Sequence, residues 1–272
     1  MSSLENLIIV RGGGDLATGT IYKLCQCGFP VLVLETENPS AIRRNVAFSE
    51  AVYQAAQTVE GTTCTLASSE SEAEELLKMG KLTMLVDPDG KSISHFHPLA
   101  VVDAILAKKN LGTRRNMAPI TVALGPGFTA GVDVDAVVET KRGHNLGRVL
   151  YSGTAAPNTG IPGIIGGFGK ERVIHSPSAG ILRNVAKITD TVEKGQTIAL
   201  VETEQGVVPV HATLTGLLRG LIRDGYPVSR GLKIADIDPR TEEYDNCFTI
   251  SDKARCIAGG VLEAVLHLRA TL

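Results

Sequence analysis

The sequence predicts an α/β protein: a parallel-sheet domain, then a small all-β domain, then a closing helix. Three observations predict it. A β-branched run, a glycine turn and a helical pattern succeed one another in LIIVRGGGDLATGT, Leu7 to Thr20. Short apolar runs recur at Val31–Leu34, Leu82–Val86, Ile120–Leu124 and Val134–Val138. From Val173 onward the chain repeats itself at a fixed offset of thirty-six residues.

The first of these orders the rest. Leu7 to Val10 has the continuous apolar character of a strand buried on both faces. Gly12, Gly13 and Gly14 follow, and from Asp15 the apolar spacing turns helical, ending near Gly28. Gly12, Gly14 and Ala17 fit G-x-G-x-x-A, the opening of a Rossmann-like mononucleotide fold. Glycine lets backbone amides approach a pyrophosphate, and the helix N-terminus adds partial positive charge. The expected contacts are Arg11, Gly12, Gly13, Gly14, Asp15, Ala17 and Thr18. Glu35 ends the second strand twenty-one residues past Gly14, where a ribose-binding carboxylate is expected. Asp15 argues against a plain phosphate cradle, since a carboxylate in the first turn caps the helix and repels an anion. Arg11 is the nearest candidate to offset it.

In chain order, Asn38-Pro39-Ser40 signals a turn. Arg43 and Arg44 then fall on a short helix or loop, facing either an anion or solvent. Ser71–Gly80 is an acidic helix with Gly80 as its C-cap. The strand Leu82–Val86 runs into Asp87-Pro88-Asp89-Gly90, a strong turn. Asp87, His95 and His97 are weak candidates for a metal, and a polar ligand-facing loop is the stronger reading of this stretch. A helix is expected from about Leu99 to Lys108. Glycine-rich backbone recurs after Leu124, with Gly125 and Gly127, and the strand near Val138 leads into a loop carrying Arg142, His144 and Arg148. In open α/β sheets, ligands bind beyond the carboxyl ends of the strands. Four loops would share that edge: 11–20, 87–97, 125–131 and 142–148. The glycine-rich stretch 152–170 is expected to be an ordered crossing that closes a first domain of residues 1–170.

The bulk composition narrows the function. There are 27 Lys and Arg against 29 Asp and Glu, a net charge of −2, and no basic run, which argues against nucleic acid as a partner. Aromatics are 4% and Trp is absent, so the core is aliphatic. No apolar run reaches membrane-spanning length. The start MSSLEN lacks the basic and cleavage features of a secretory signal. The five cysteines form no C-x-x-C pair, which fits reduced thiols in a cytoplasm and argues against zinc. Cys25 and Cys27 are expected to be buried and inert in the first helix. Cys256 lies near the start of the last helix, where a thiol pKa can be lowered.

In the second half, Gly180, Leu182, Arg183, Val192, Gly195, Ile198 and Ala199 meet Gly216, Leu218, Arg219, Val228, Gly231, Ile234 and Ala235. Two copies are too few for a solenoid. They suit a two-fold β structure over residues 171–240. SPSAGIL with DTVEKGQTIALVE, and GLLRGLIRDGYPVSRGLKIA, resemble the two halves of a biotinyl/lipoyl-like barrel. The carrier lysine of that family lies on the turn between the halves. Here the turn is Glu202–Gly206 and has no lysine, and Lys194 sits in a different turn. The resemblance therefore implies an architectural or docking role without covalent biotin or lipoate. Residues 241–272 contain a helix from about Asp252 to Leu268, whose apolar face (Ile257, Val261, Leu262, Val265, Leu268) is expected to pack on the first domain. Gly259 and Gly260 would weaken it unless something approaches closely.

VRGGGDLATG, PSAIRRNVAFSEAVY, VALGPGFTAGVDVDAVVET, RGHNLGRV, NTGIPG, GLKIADIDPR and AGGVLEAVL together resemble the YqeB family, accessory proteins of the selenium-dependent molybdenum hydroxylase system. The first domain also resembles XdhC/CoxI-like accessory proteins. The resemblance implies a maturation role, with the dinucleotide form of the molybdenum cofactor as ligand and an apo-hydroxylase as partner. Two other functions remain open on the residues alone. One is an NAD(P)-dependent oxidoreductase, for which His95, His97 and His144 are the only acid–base candidates. The other is a docking protein with a degenerate nucleotide site.

Overall fold

The apolar runs of the first half become strands of one sheet, and the repeated half builds two smaller ones. The computed structural model describes residues 4–158, 160 and 163–272. The chain divides into a unit of residues 1–39, 47–159 and 250–272 and a unit of residues 40–46 and 160–249.

The first unit begins with β1 (Ile8–Arg11), α1 (Asp15–Gln26) and β2 (Val31–Glu35). After them come α2 (Ala51–Gln54), β3 (Ala56–Val59), β4 (Thr62–Ala67), α3 (Glu70–Lys78), β5 (Leu82–Val86) and α4 (Ile93–Phe96). The rest is β6 (Ala100–Asp103), β7 (Ile120–Leu124), β8 (Thr129–Ala130), β9 (Ala136–Val138), β10 (Val149–Leu150) and β11 (Gly153–Thr154). The main sheet has nine strands in the order β10-β9-β7-β6-β1-β2-β5-β4-β3. Its middle is parallel, with β1 between β2 and β6 and every β1 residue buried.

The expected all-parallel Rossmann-like sheet is not what forms. The sheet is mixed, because β3 runs antiparallel to β4 and β10 antiparallel to β9. The hairpin between β3 and β4 turns on Glu60 and Gly61, both at positive φ, 46° and 78°, the backbone a two-residue hairpin requires. The helix expected over 99–108 is instead the strand β6, buried along its length and paired with β1 and β7. LAVVDAIL is apolar but for Asp103, and periodicity alone does not separate a buried strand from a buried helix.

The C-terminal segment returns to this first unit as α5 (Asp252–Arg269), capped by Ser251, whose hydroxyl accepts from the Ala254 amide. It lies against α1 closely enough that a Cβ on Gly19 would stand 2.8 Å from the Ala254 Cβ. Gly260 has the close neighbour its sequence called for: a Cβ there would stand 2.2 Å from the Gly147 carbonyl oxygen. Gly259 faces open space.

The second unit is β12 (Val173–His175), β13 (Gly180–Asn184), β14 (Thr191–Val192), β15 (Thr197–Thr203), β16 (Gly206–His211), β17 (Gly216–Leu221), β18 (Pro227–Val228) and β19 (Lys233–Asp238). It forms two separate four-stranded antiparallel sheets, β12-β19-β17-β14 and β16-β15-β13-β18, in place of the expected biotinyl/lipoyl-like barrel. The thirty-six-residue offset carries β13, β14 and β15 onto β17, β18 and β19. Each copy gives its short middle strand to the other copy's sheet, since β14 pairs with β17 and β18 with β13. The correspondence reaches single atoms. A Cβ on Gly180 would lie 2.2 Å from the Glu202 carbonyl oxygen, and one on Gly216 would lie 2.3 Å from that of Asp238. The Arg183–Glu202 ion pair recurs as Arg219–Asp238.

Two aspartates of β19 hold the polar interior of this unit. Asp236 pairs with Arg172 and Arg219, and Asp238 with Arg219 and Arg240. Burial pushes the Asp238 carboxyl up, but the Arg240 hydrogen bonds and the two guanidinium charges outweigh it and hold the carboxyl below its ordinary value. Arg43 and Arg44 serve the same unit rather than an anion. Arg43 donates to the Asn246 and Thr249 carbonyls, and Arg44 to that of Leu221. The crossing expected at 152–170 falls partly outside the described residues, at 159, 161 and 162.

The paired glycines give a direct test. Gly180→Ala and Gly216→Ala each force a side-chain carbon onto a backbone oxygen and are expected to destabilise by about 1–3 kcal/mol. Gly259→Ala, in a helix with open space around it, is expected to be neutral or stabilising by up to about 1 kcal/mol. Urea unfolding of the three variants checks the order.

Candidate functional site

The parallel pairings of β1, β2, β5, β6, β7 and β9 bring their carboxyl ends to one edge of the sheet. The glycine turn stands at its middle, and its three glycines have three different reasons. Gly12, at φ +93°, lets the end of β1 lie against the segment after β6, where a Cβ would meet the Ala104 oxygen and Ile105 Cα at 3.0 Å. Gly13 is packed against the Met84 side chain and the Ser49 backbone. A Cβ on Gly14 would meet nothing within 4 Å. Gly14 is also the N-cap of α1 and, having no side chain, gives that helix no cap hydrogen bond. Its first amides have no helical partner.

Several of the residues expected to contact a ligand hold the turn through hydrogen bonds or packing. Glu35 accepts the Gly13 amide at 2.7 Å with one carboxylate oxygen and the Thr36 amide at 2.8 Å with the other. Burial raises its carboxyl above the ordinary range, and these two amide bonds oppose the rise. Thr18 accepts from the Phe48 amide and donates to the Gly13 carbonyl, while Ala17 is in the core. Arg11 is 1% exposed. Its guanidinium donates to the Thr113 hydroxyl at 2.5 Å and the Pro88 carbonyl at 2.8 Å, and lies 3.9 Å from Asp103. Thr113 passes the contact on by donating to Asp103. Arg11 therefore ties together the segments that follow β5 and β6.

On the far side of the edge, Gly125 leaves room for the Thr140 hydroxyl, 2.6 Å from where a Cβ would stand, and Gly127 for the backbone of Lys109. Arg142 makes a two-pronged contact with Asp252, at 2.8 and 2.9 Å. His144 is exposed. The buried Glu139 accepts the Lys141 and Ala156 amides, each at 2.7 Å.

One cation here escaped sequence reasoning. Lys253, half-buried in the first turn of α5, is coupled electrostatically to Arg142, Asp15, Glu139 and Asp252. Burial, followed by the Arg142 charge, pushes its ammonium below the ordinary lysine range, while Asp15, Glu139 and Asp252 pull it back. Nothing local in SDKARC separates it from a solvated lysine; only the seating of α5 beside α1 puts it near the turn.

The remaining candidates lie apart. Asp87 accepts the Lys91 and Ser92 amides and the Ser92 hydroxyl and so caps its own turn. His95 faces Glu70 and Glu74 of α3. Among the described residues no group of three His, Cys, Asp or Glu could hold a metal ion. Burial pushes the Cys25 thiol up to about 12, so it is no thiolate at neutral pH, whereas Cys27, expected to be buried, is exposed. The Cys256 thiol donates to the Leu146 carbonyl. No described helix is long and apolar enough to cross a membrane.

The fold and site define an α/β protein with an uncapped helix start at the carboxyl edge of a mixed sheet, coupled in sequence to a two-fold β unit. No model of a known protein family matches the chain. It is a homologue of YqeB of Escherichia coli K12, an uncharacterized protein, with 52% identity over 265 residues, 97% of this chain and 48% of YqeB. The chain thus spans about half the length of that relative. Solved structures show only distant likeness. The product-bound ectoine utilization protein EutE (DoeB) of Ruegeria pomeroyi is 15% identical, over 85% of this chain and 56% of that one, with a TM-score of 0.24. An aspartoacylase family protein of Mesorhizobium loti gives 11%, 87%, 85% and 0.28 for the same measures. A succinylglutamate desuccinylase/aspartoacylase of Rhodobacter sphaeroides gives 12%, 86%, 85% and 0.27. At these scores the likeness carries no functional argument.

Two outcomes follow for the site. Arg11→Met leaves Asp103 buried without its cation and is expected to cost about 3–5 kcal/mol in urea unfolding. Lys253→Met is expected to raise stability at neutral pH. A lysine whose folded pKa is depressed adds stability as pH rises from that value toward the unfolded one. The advantage of the variant over the natural protein should therefore shrink as melts are taken from pH 7 toward pH 10.

Proposed function

We propose that this chain is an accessory factor in the maturation of a molybdenum hydroxylase, and that it holds the dinucleotide form of the molybdenum cofactor by a phosphate at the start of α1. The carrying observation is that α1 begins at Gly14 with no side-chain cap and open space beside it. A phosphate seated there would meet the first amides of a twelve-residue helix at its positive end. Lys253 supplies the counter-charge that Asp15 would otherwise oppose. Glu35 keeps its bond to Gly13 and acts as a brace for the turn rather than as a ribose ligand. The pathway part of the reading is supported by the resemblance of VRGGGDLATG and the other stretches to the hydroxylase accessory proteins. The partner is the apo-hydroxylase, which does the chemistry after the cofactor is passed on.

The competing dehydrogenase reading needs an acid or base positioned at a reacting oxygen. His95 is turned to the acids of α3 and His144 stands on an exposed loop.

The test is a titration with molybdopterin dinucleotide and, separately, with NADH and NADPH, together with an assay of nicotinamide oxidation. Tight binding of the pterin is expected, with at least a tenfold loss in Gly14→Val and a melting temperature near that of the natural protein. Steady oxidation of a bound nicotinamide, with no binding of the pterin, overturns the proposal.

A further inference from the structure

A second cleft in the first unit stands apart from the start of α1. It has a volume of about 790 Å³ and lies between the segment 89–98 and the segment 114–119. Its basic residues are Lys91, His97 and Arg114, and Asp89 is the single carboxylate among its described lining residues. Ile93 and Met117 give it an apolar side.

The surroundings of these residues are informative. The Arg114 guanidinium is exposed and makes no hydrogen bond or ion pair among the described residues. Lys91 pairs with Asp89 at 3.3 Å, but both side chains are more than two-thirds exposed, at 82% and 70%, and such a pair is worth little. His97 sits at φ +45°, left-handed backbone that a non-glycine residue occupies at a cost. That backbone turns the chain at the end of α4 and brings His97 to the cleft.

We infer that this cleft is a second binding site, for a small organic phosphate monoester with an apolar body. Arg114 and Lys91 take the dianionic head, His97 adds a third nitrogen donor, and Ile93 and Met117 take the body. The head group is assigned as phosphate rather than carboxylate because three nitrogen groups, from Arg114, Lys91 and His97, offer one donor to each of three terminal oxygens, one more than a carboxylate has. The inference stands independently of the proposed function, since none of these residues belongs to the α1–α5 edge.

Phenyl phosphate is the probe, with benzoate and inorganic phosphate as controls, followed by two-dimensional amide NMR of the full chain. The expected result is saturable shifts in the amides of Lys91, Ser94, His97 and Asn116, with weaker binding of benzoate and of inorganic phosphate. Arg114→Gln is expected to weaken phenyl phosphate about tenfold or more, the loss of one charge-assisted contact. Gly14→Val should leave it unchanged, which separates this site from the first. Because Arg114 is exposed, its replacement does not threaten folding, and Lys91→Gln provides a second variant. No shift in these amides at millimolar phenyl phosphate, or affinity in both variants within twofold of the natural protein, overturns the inference.

Discussion

The first unit depends on a buried cation. Arg11 ends the central strand β1 with its guanidinium inside the protein, held by Thr113, Pro88 and Asp103. A buried charge is tolerated only when it is paired and hydrogen-bonded. Satisfying it therefore fixes where the segments after β5 and β6 run. Burial raises the Asp103 carboxyl above its ordinary value, with the Thr113 hydroxyl, the Ile105 amide and the Arg11 charge opposing. The network is costly and specific. It trades desolvation for a unique arrangement of loops at the carboxyl edge.

The glycine turn shows how one motif divides into separate jobs. Gly12 and Gly13 are required by packing, against the segment after β6 and against Ser49 and Met84. Glu35 fixes the turn by accepting the Gly13 amide. Gly14 alone faces open space. Glu35, expected from its spacing to meet a ribose, braces the turn, and Lys253, the lysine that interacts with Asp15, comes from α5, over two hundred residues away in sequence. The second unit follows a different economy. Its repeat imposes the same backbone contact at Gly180 and Gly216 and the same ion pair at Arg183 and Arg219, and exchange of the middle strands makes each copy depend on the other.

The sequence by itself determined the local elements whose signals are local. The runs at Leu82–Val86 and Ile120–Leu124 are strands with those limits, the capped stretch from Asp252 is a helix, and the thirty-six-residue offset marks equivalent strands. β-Branched runs, N-caps and turn glycines act over a few residues, so they are legible without a fold. Tertiary structure decided the rest. It made β6 a strand because β1 and β7 flank it, and it mixed the sheet through an edge hairpin. It set the repeat as two open sheets, turned Arg43 and Arg44 onto backbone carbonyls, and brought Lys253 beside the glycine turn. Each of these depends on which surface lies opposite, and pairing across long separations leaves no mark in the spacing of nearby residues.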